Sequence, residues 1–284
     1  MPPRFFVDAA LAADTVLELP DAVVRHVQVL RLAPGDAITL FNGQGGSHPA
    51  TLTEIGKRHA SATLGTHDAS EAETPFAVTL AQGLAGGDKM DWLIEKAVEL
   101  GVSAIQPLQA ARSVVRLSGE RATKRQAHWQ ALIEAACEQC GRNRLPALAP
   151  VANLESWLTS VPATAARLAL SPRASASLPE LAQAEREAWR AGGVTLLIGP
   201  EGGLSPEEED RARRAGAKTP AAIRRGRIQG ARGSPRRSGV APFARRPEDR
   251  RAVLVVQVGH RHRGIEHHPN GGGRPGWRGD DEPR

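Results

Sequence analysis

Apolar residues recur along this chain with two periods, and the switch from one to the other marks its elements. Val194 to Ile198 is an unbroken apolar run bounded by glycines. It is too short for a stable helix and predicts a strand buried on both faces, central in a parallel sheet. Phe76 to Gln82 alternates and predicts a second strand, with a loop over Gly83 to Gly87. Asp88 to Leu100 carries Met90, Leu93, Ile94, Ala97 and Val98 on one helical face, and Gly101 closes it just past the last turn. Val102 to Leu108 is the next strand, so the order implies a parallel crossover. Helical patterns over Glu120 to Cys140, Leu154 to Leu158, Leu178 to Ala191 and Glu207 to Ala215, with a strand over Arg167 to Leu170, complete an α/β alternation.

The first seventy residues read differently. Pro3 to Val7 predicts an edge strand, and a short helix near Asp21 puts Val23, Val24, Val27 and Leu30 on one face. After the turn at Pro34-Gly35-Asp36, short strands over Ala37 to Phe41, Pro49 to Ile55 and Ala60 to Leu64 are separated by Asn42-Gly43 and Gly45-Gly46 turns. That spacing predicts a small β-barrel. The polar stretch His67 to Pro75 is the linker. His26 and Arg31 either meet RNA phosphates or form a solvated rim.

The richest stretch follows the central strand. In Gly199-Pro200-Glu201-Gly202-Gly203, Pro200 pushes Gly199 out of the helical region, and the paired glycines permit positive φ and close approach. Ser205, Pro206 and Glu208 then form an S-x-x-E helix start with proline at its first position. Main-chain amides at the carboxyl end of a parallel strand are the usual ligand position in such folds; a tight connecting turn is the plainer alternative. The Lys-Ser/Thr of a phosphate loop is absent, and so is G-x-G-x-x-G. Glu201 would repel phosphate, so a neutral or zwitterionic ligand fits better.

Composition narrows this. No stretch approaches a membrane span and the start lacks an apolar signal region, which predicts a cytoplasmic protein. Cys137 and Cys140 stand in C-x-x-C spacing without a second pair or a nearby histidine, and read as reduced core thiols rather than a zinc or redox site. The formal net charge is +6, but up to Gly216 acids slightly outnumber bases, and the tail carries the whole excess. Arguments for nucleic acid therefore rest on local clusters. Arg112 and Arg116 share one loop, Arg121, Lys124 and Arg125 one helical face, and Arg142 and Arg144 its exit. Arginines near a helix end are favourable through the dipole alone, yet this many can also hold a phosphate backbone.

Taken together, Pro3-Arg4-Phe5-Phe6, Lys89-Met90, Glu95 to Val102, Glu134 to Arg144 and Leu196 to Ser205, in this order, resemble the bacterial 16S ribosomal RNA uridine N3-methyltransferase family of the SPOUT superfamily, from about residue 3 to 216. The resemblance implies a PUA-like barrel over residues 1–70 and a SPOUT methyltransferase domain over residues 75–216, whose parallel sheet ends in a trefoil knot. It also implies a homodimer, S-adenosylmethionine as methyl donor, and the small ribosomal subunit as partner. It places Leu196, Ile198, Gly199, Pro200, Glu201, Gly202, Gly203 and Leu204 at the donor, with Glu201 fixing the loop rather than taking a proton. Arg4, Arg31, Arg112, Arg116, Arg121, Lys124, Arg125, Arg142 and Arg144 fall on the RNA side, and Glu138, Arg142 and Asn143 are candidates near the reacting base.

After Gly216 the pattern departs. The family would continue with a strand, a Leu-Gly-Pro-Arg-type loop and an apolar helix forming the other donor wall. Here Ile223 to Ile228 and a Gly, Pro and Arg-rich run follow, with one apolar island at Ala252 to Val258. His260, His262, His267 and His268 admit a metal tract and the arginines a disordered RNA-binding arm, but neither has an ordered framework. A reading-frame change accounts for the composition of residues 217–284. The alternative to an active enzyme is then an RNA-binding remnant lacking half the donor site. Translating the gene in its other two frames beyond the Gly216 codon tests this: one of them is expected to encode the missing loop and helix, and if neither does, the frame change is wrong.

Overall fold

The computed structural model describes residues 2–160, 166–171 and 176–221. The arginine-rich run after Ala221, with its apolar island and its four histidines, lies outside the described residues, as does Pro172 to Ser175.

The amino-terminal part contains β1 (Arg4–Phe6), β2 (Val16–Glu18), α1 (Asp21–Val29), β3 (Ala37–Phe41), β4 (His48–Ile55) and β5 (Ala60–Leu64). They form a five-stranded sheet in the order β1-β3-β4-β5-β2, with β1 parallel to β3 and the other pairs antiparallel. Period-two alternation in β4 and β5 buries Ala50, Leu52, Ala60, Ala62 and Leu64 against Val23, Val24 and Val27 of α1. This is a core separate from the rest of the chain.

The second part runs through β6 (Val78–Gly83), α2 (Lys89–Glu99), β7 (Ala104–Gln109), α3 (Gly119–Cys140), β8 (Ala147–Leu148), β9 (Ala152–Asn153), α4 (Leu154–Ser160), β10 (Ala166–Ala169), β11 (Ala176–Ser177), α5 (Leu178–Ala184), α6 (Arg186–Gly192), β12 (Val194–Ile198), α7 (Pro206–Arg214) and β13 (Pro220–Ala221). The main sheet is parallel throughout, in the order β10-β12-β6-β7-β8, with β9 also beside β7. β12 is central as expected, and its first four residues are buried. Leu80, Ile105, Leu168 and Leu196 face one way, against α2, α3 and Trp189 of α6. Ala81, Leu108, Ala169 and Leu197 face the other, against Leu154, Trp157 and Ala212 of α4 and α7.

The expected helix over Leu178 to Ala191 is two. The break falls at Glu185, which leaves helical geometry at φ −103° and ψ 7°, and whose carboxylate reaches Lys218 at 2.7 Å. The described chain stays paired for a few residues past Gly216. Lys218 bridges Leu168 at the edge of β10, donating to Arg167 O at 2.9 Å and accepting from Ala169 N at 2.8 Å, and β13 pairs with β11.

Four residues expected at an RNA or reaction site make contacts at the junction of the two parts within this chain. Arg142 is 3% exposed. Its Nε donates to Glu73 Oε1 at 3.0 Å, its Nη2 to Glu73 Oε2, and its Nη1 to the carbonyls of Val98 at 3.1 Å and Val102 at 2.8 Å. Four of the five N–H donors of this buried guanidinium are thereby taken. Asn143 is also buried; its Oδ1 accepts from Arg4 Nη2 at 2.6 Å and its Nδ2 donates to Ser70 O at 2.8 Å. Arg4 lies over the Phe41 ring at 5.0 Å, and burial lowers its pKa. Glu138 accepts from Phe6 N at 2.8 Å, and burial raises its pKa. Charge near a helix exit reads as an RNA surface in the sequence; in the structure these side chains are engaged at the seam with the amino-terminal sheet. Arg144, half-exposed, pairs with Glu71 at 3.3 Å on the same seam.

Breaking a buried pair strands the remaining charge, so Arg142→Met is expected to cost about 3 kcal/mol in urea unfolding, and the double change Arg142→Met, Glu73→Leu less than that. An unchanged midpoint for the single variant would refute the seam.

Candidate active site

β12, β6 and β7 are adjacent and parallel, and their carboxyl ends meet at one level: Ile198 pairs Gln82, and Gln82 pairs Pro107. The chain runs from β6 through α2 to β7 on one side, while β12 lies on the other, which makes the space above these ends the crevice where such sheets bind ligands. Three loops border it, over residues 83–88, 110–118 and 199–205.

The contact between the first and third is main chain on main chain. A Cβ on Gly83 would lie 2.5 Å from Pro200 Cδ, and one on Gly199 would lie 2.5 Å from the backbone of Gly203 and Leu204. Neither position admits a side chain. Gly203 N donates to Pro200 O at 2.8 Å, and Gly203 turns with φ +69° and open space on its Cα side. Gly202 is not open, because Arg112 packs on it and donates from Nη1 to Gly202 O at 2.8 Å.

Two carboxylates tie the loops. Glu201 Oε1 accepts from Gly86 N at 3.0 Å and from Lys89 Nζ at 3.1 Å. Burial works against its ionisation, but its own amide, that of Gly86 and the Lys89 ammonium prevail and hold its carboxyl below the ordinary range. Glu208 completes the capping box: Ser205 N donates to its Oε2 at 2.8 Å, and its own amide donates to Ser205 Oγ at 3.2 Å. Its second oxygen accepts from Ala111 N at 2.6 Å, joining the start of α7 to the loop after β7.

Beneath the crevice, the Nε2 of buried Gln82 donates to Gly83 O at 2.8 Å and Gly199 O at 3.1 Å, while its Oε1, also buried, meets no donor among the described residues.

Of the residues expected at the donor, Gly199 to Gly203 form the loop. Ile198 is half-buried at the strand end, whereas the side chains of Leu196 and Leu204 are packed in the core on opposite faces of the sheet. Of the expected cations, Arg112 touches the loop, and Arg116 donates to Ala111 O at 3.3 Å beside a cleft of about 360 Å³ that also takes in Asn153, Ser205, Glu207 and Arg211. Arg121 and Lys124 are exposed on the first turns of α3, at this same end. Arg125 turns back, 3.8 Å from Asp91, which also holds His128 and the Trp129 indole. Arg31 stands apart on the barrel, at the exit of α1.

Glu138, Arg142 and Asn143 lie at the far end. α3 has 22 residues and is about 33 Å long, and its exit leads to β8, which pairs with Ala104 at the amino end of β7. Within one chain they do not reach the glycine loop. Burial pushes the Cys137 thiol up to about 12, so it is an inert core residue as read from its helical setting. Among the described residues there is no cluster fit for a metal, and no helix long and apolar enough to cross a membrane.

Sequence reasoning missed Gln82, Gly83, Gly86 and Lys89 as parts of the site, and saw Glu208 only as a cap. A Gln82-Gly83 pair at the end of a strand, followed closely by Gly86-Gly87, was the available signal.

Known proteins resemble the chain over both of its parts. A family model described as RNA methyltransferase domain matches residues 72–221, and one described as RNA methyltransferase PUA domain matches residues 19–65. The ribosomal RNA small subunit methyltransferase E of Bacillus subtilis is 31% identical over 223 residues, covering 73% of this chain and 84% of that protein. A ribosomal RNA small subunit methyltransferase E from Neisseria gonorrhoeae, solved bound to S-adenosyl methionine, superposes with a TM-score of 0.72 at 39% identity, covering 78% of this chain and 88% of that one. A methyltransferase from Legionella pneumophila, in complex with the same cofactor, gives 0.70 at 26% identity and covers 91% of this chain and 96% of its own.

A carboxyl group with a lowered folded pKa adds stability above its ordinary value of 4.5, and that share is lost as pH falls through the folded value. Glu201→Gln is therefore expected to flatten the fall in Tm from about pH 5 downward. Parallel Tm curves for the two proteins would remove Glu201 as the tie between the loops.

Proposed function

We propose that this chain, which belongs to the RNA methyltransferase family, transfers the methyl group of S-adenosylmethionine to N3 of a uridine in 16S ribosomal RNA. The observation that carries this reading is the crevice above β12, β6 and β7, built of main chain and lacking any phosphate-loop lysine. The methyl donor has a sulfonium, a zwitterionic end and an adenine but no phosphate, so a neutral main-chain cradle suits it. The open side of Gly203 is a feature that a ligand would use. Gly199 to Gly203 are the residues to hold it, with Ile198 beneath.

When bound, S-adenosylmethionine supplies an electrophilic methyl group. The chain's own task is to place uracil N3 in line with it and to favour loss of the N3 proton. Arg112, Arg116 and Lys89 put positive charge at the rim of the crevice, which stabilises a uracil anion without a strong base. Arg121 and Lys124 continue that charge along α3 toward RNA phosphates, and Arg31 does the same on the barrel. Residues 1–70 serve as the RNA-docking unit, and the methyltransferase unit runs from 75 past Gly216 to Ala221. The chain works as a cytoplasmic homodimer on the small ribosomal subunit.

Titration calorimetry of the full chain with S-adenosylmethionine is expected to give saturable heat; none would favour the RNA-binding remnant. With 16S RNA, mapping of the product is expected to place the methyl on uridine N3, and Arg112→Ala to slow transfer roughly 10²-fold. Lys124→Ala is expected to leave cofactor binding unchanged and lower the salt slope of RNA binding by about one unit.

A further inference from the structure

Glu208 does more than start α7. A helix start of the S-x-x-E kind asks one bond of its glutamate side chain, to the amide of the capping serine, and Glu208 Oε2 makes it with Ser205 N at 2.8 Å. The residue is 8% exposed, and its other oxygen, Oε1, accepts from Ala111 N at 2.6 Å. A carboxylate accepts through both oxygens, so one buried group holds two chain segments at once.

Arg112 follows Ala111 directly. Its stem packs on Gly202, where a Cβ would lie 3.3 Å from Arg112 Cβ and 3.4 Å from Cδ, and its Nη1 donates to Gly202 O at 2.8 Å. That bond takes one of the five N–H donors of the guanidinium. The loop behind it is tied to itself: Ser113 N donates to Ala110 O at 3.1 Å, Ala110 N to Ser113 Oγ at 3.2 Å and Arg116 Nη2 to Ala111 O at 3.3 Å. A ring of contacts thus closes from Gly202 through Ser205, Glu208, Ala111 and Arg112 back to Gly202, and joins the arginine loop to the glycine loop. Charge stabilises a transition state most when it is in place beforehand.

We propose that Glu208 is a positioning residue for methyl transfer: through the Ala111 amide it holds the loop over residues 110–118 so that the Arg112 guanidinium stands fixed against the glycine loop before RNA arrives. This rests on the methyl-transfer reading above.

The test is a double-mutant cycle on the full chain, read as methyl transfer to 16S RNA with both substrates saturating. Glu208→Gln keeps an S-x-x-Q helix start, but where the carboxylate offers two oxygens to two amides the carboxamide offers one, and its NH2 meets an N–H. It is expected to lower kcat roughly tenfold, with the KM for RNA and the Kd for S-adenosylmethionine within about twofold of wild type. Combined with Arg112→Ala, it is expected to fall no more than about twofold below Arg112→Ala alone, because the side chain it positions is gone. A residue that only supports the fold would multiply its loss with that of Arg112→Ala or spread it into Kd and KM, and either result overturns the proposal. So does an unchanged kcat in both Glu208→Gln and Glu208→Ala, the second of which retains neither bond. Amide hydrogen exchange of the wild type needs no variant. Ala111, an exposed loop residue, is expected to exchange its amide proton as slowly as Glu209, whose amide donates to Ser205 O inside the helix start; exchange at the rate of an unbonded loop amide overturns the proposal whatever the variants do. A wild type that methylates RNA without this coupling overturns the inference alone; one that neither binds S-adenosylmethionine nor transfers its methyl group overturns the methyl-transfer reading and this inference with it.

Discussion

Three neighbouring parallel strands stop at one level, and the chain leaving each must share the space above them. The close approach of Gly83 to Pro200 is what that sharing demands: two connections touch through backbone, with no room for a β-carbon at either glycine. Once the main chain is that near, the remaining polar atoms are obliged to pair locally. Glu201 takes the amide of one loop and the ammonium next to it, Glu208 takes the amides of two others, and Gln82 bridges two carbonyls from below. Carboxylates used in this way hold structure.

The same logic, with opposite consequence, governs the other end of the sheet. There Arg142 commits four of its five N–H donors to Glu73 and two carbonyls, and Arg4, Asn143 and Glu138 form the neighbouring bonds of the seam. The barrel is thus set against the parallel sheet through hydrogen bonds buried from water as well as through Phe6 and Phe41, which pack 5.8 Å apart into the larger core. An arginine that belongs to a surface in one setting is a rivet in another, and the difference lies in what folds over it.

This explains how far the residues alone could be read. Elements with a strong period, such as β12 and α2, fall within a residue or two of their expected ends, because burial on one face or two leaves a plain pattern. The capping box of α7 was legible because its hydrogen bonds are local to Ser205 and Glu208. β2, β8 and β9 were not, since two or three residues carry no period. Roles set by distant partners were the least legible: Glu208 and Ala111 are 97 positions apart, and Arg142 and Glu73 are 69 apart. Nothing near Arg142 in the chain distinguishes it from Arg121, which remains exposed.

Lys218 carries a last implication. By lying along β10 it caps the outer margin of the parallel sheet with the chain's own backbone, where an open row of amides and carbonyls would otherwise invite a foreign strand. That cover is made by Lys218 and Pro220, so along β10 the sheet is screened from its own kind by residues that precede the arginine-rich run.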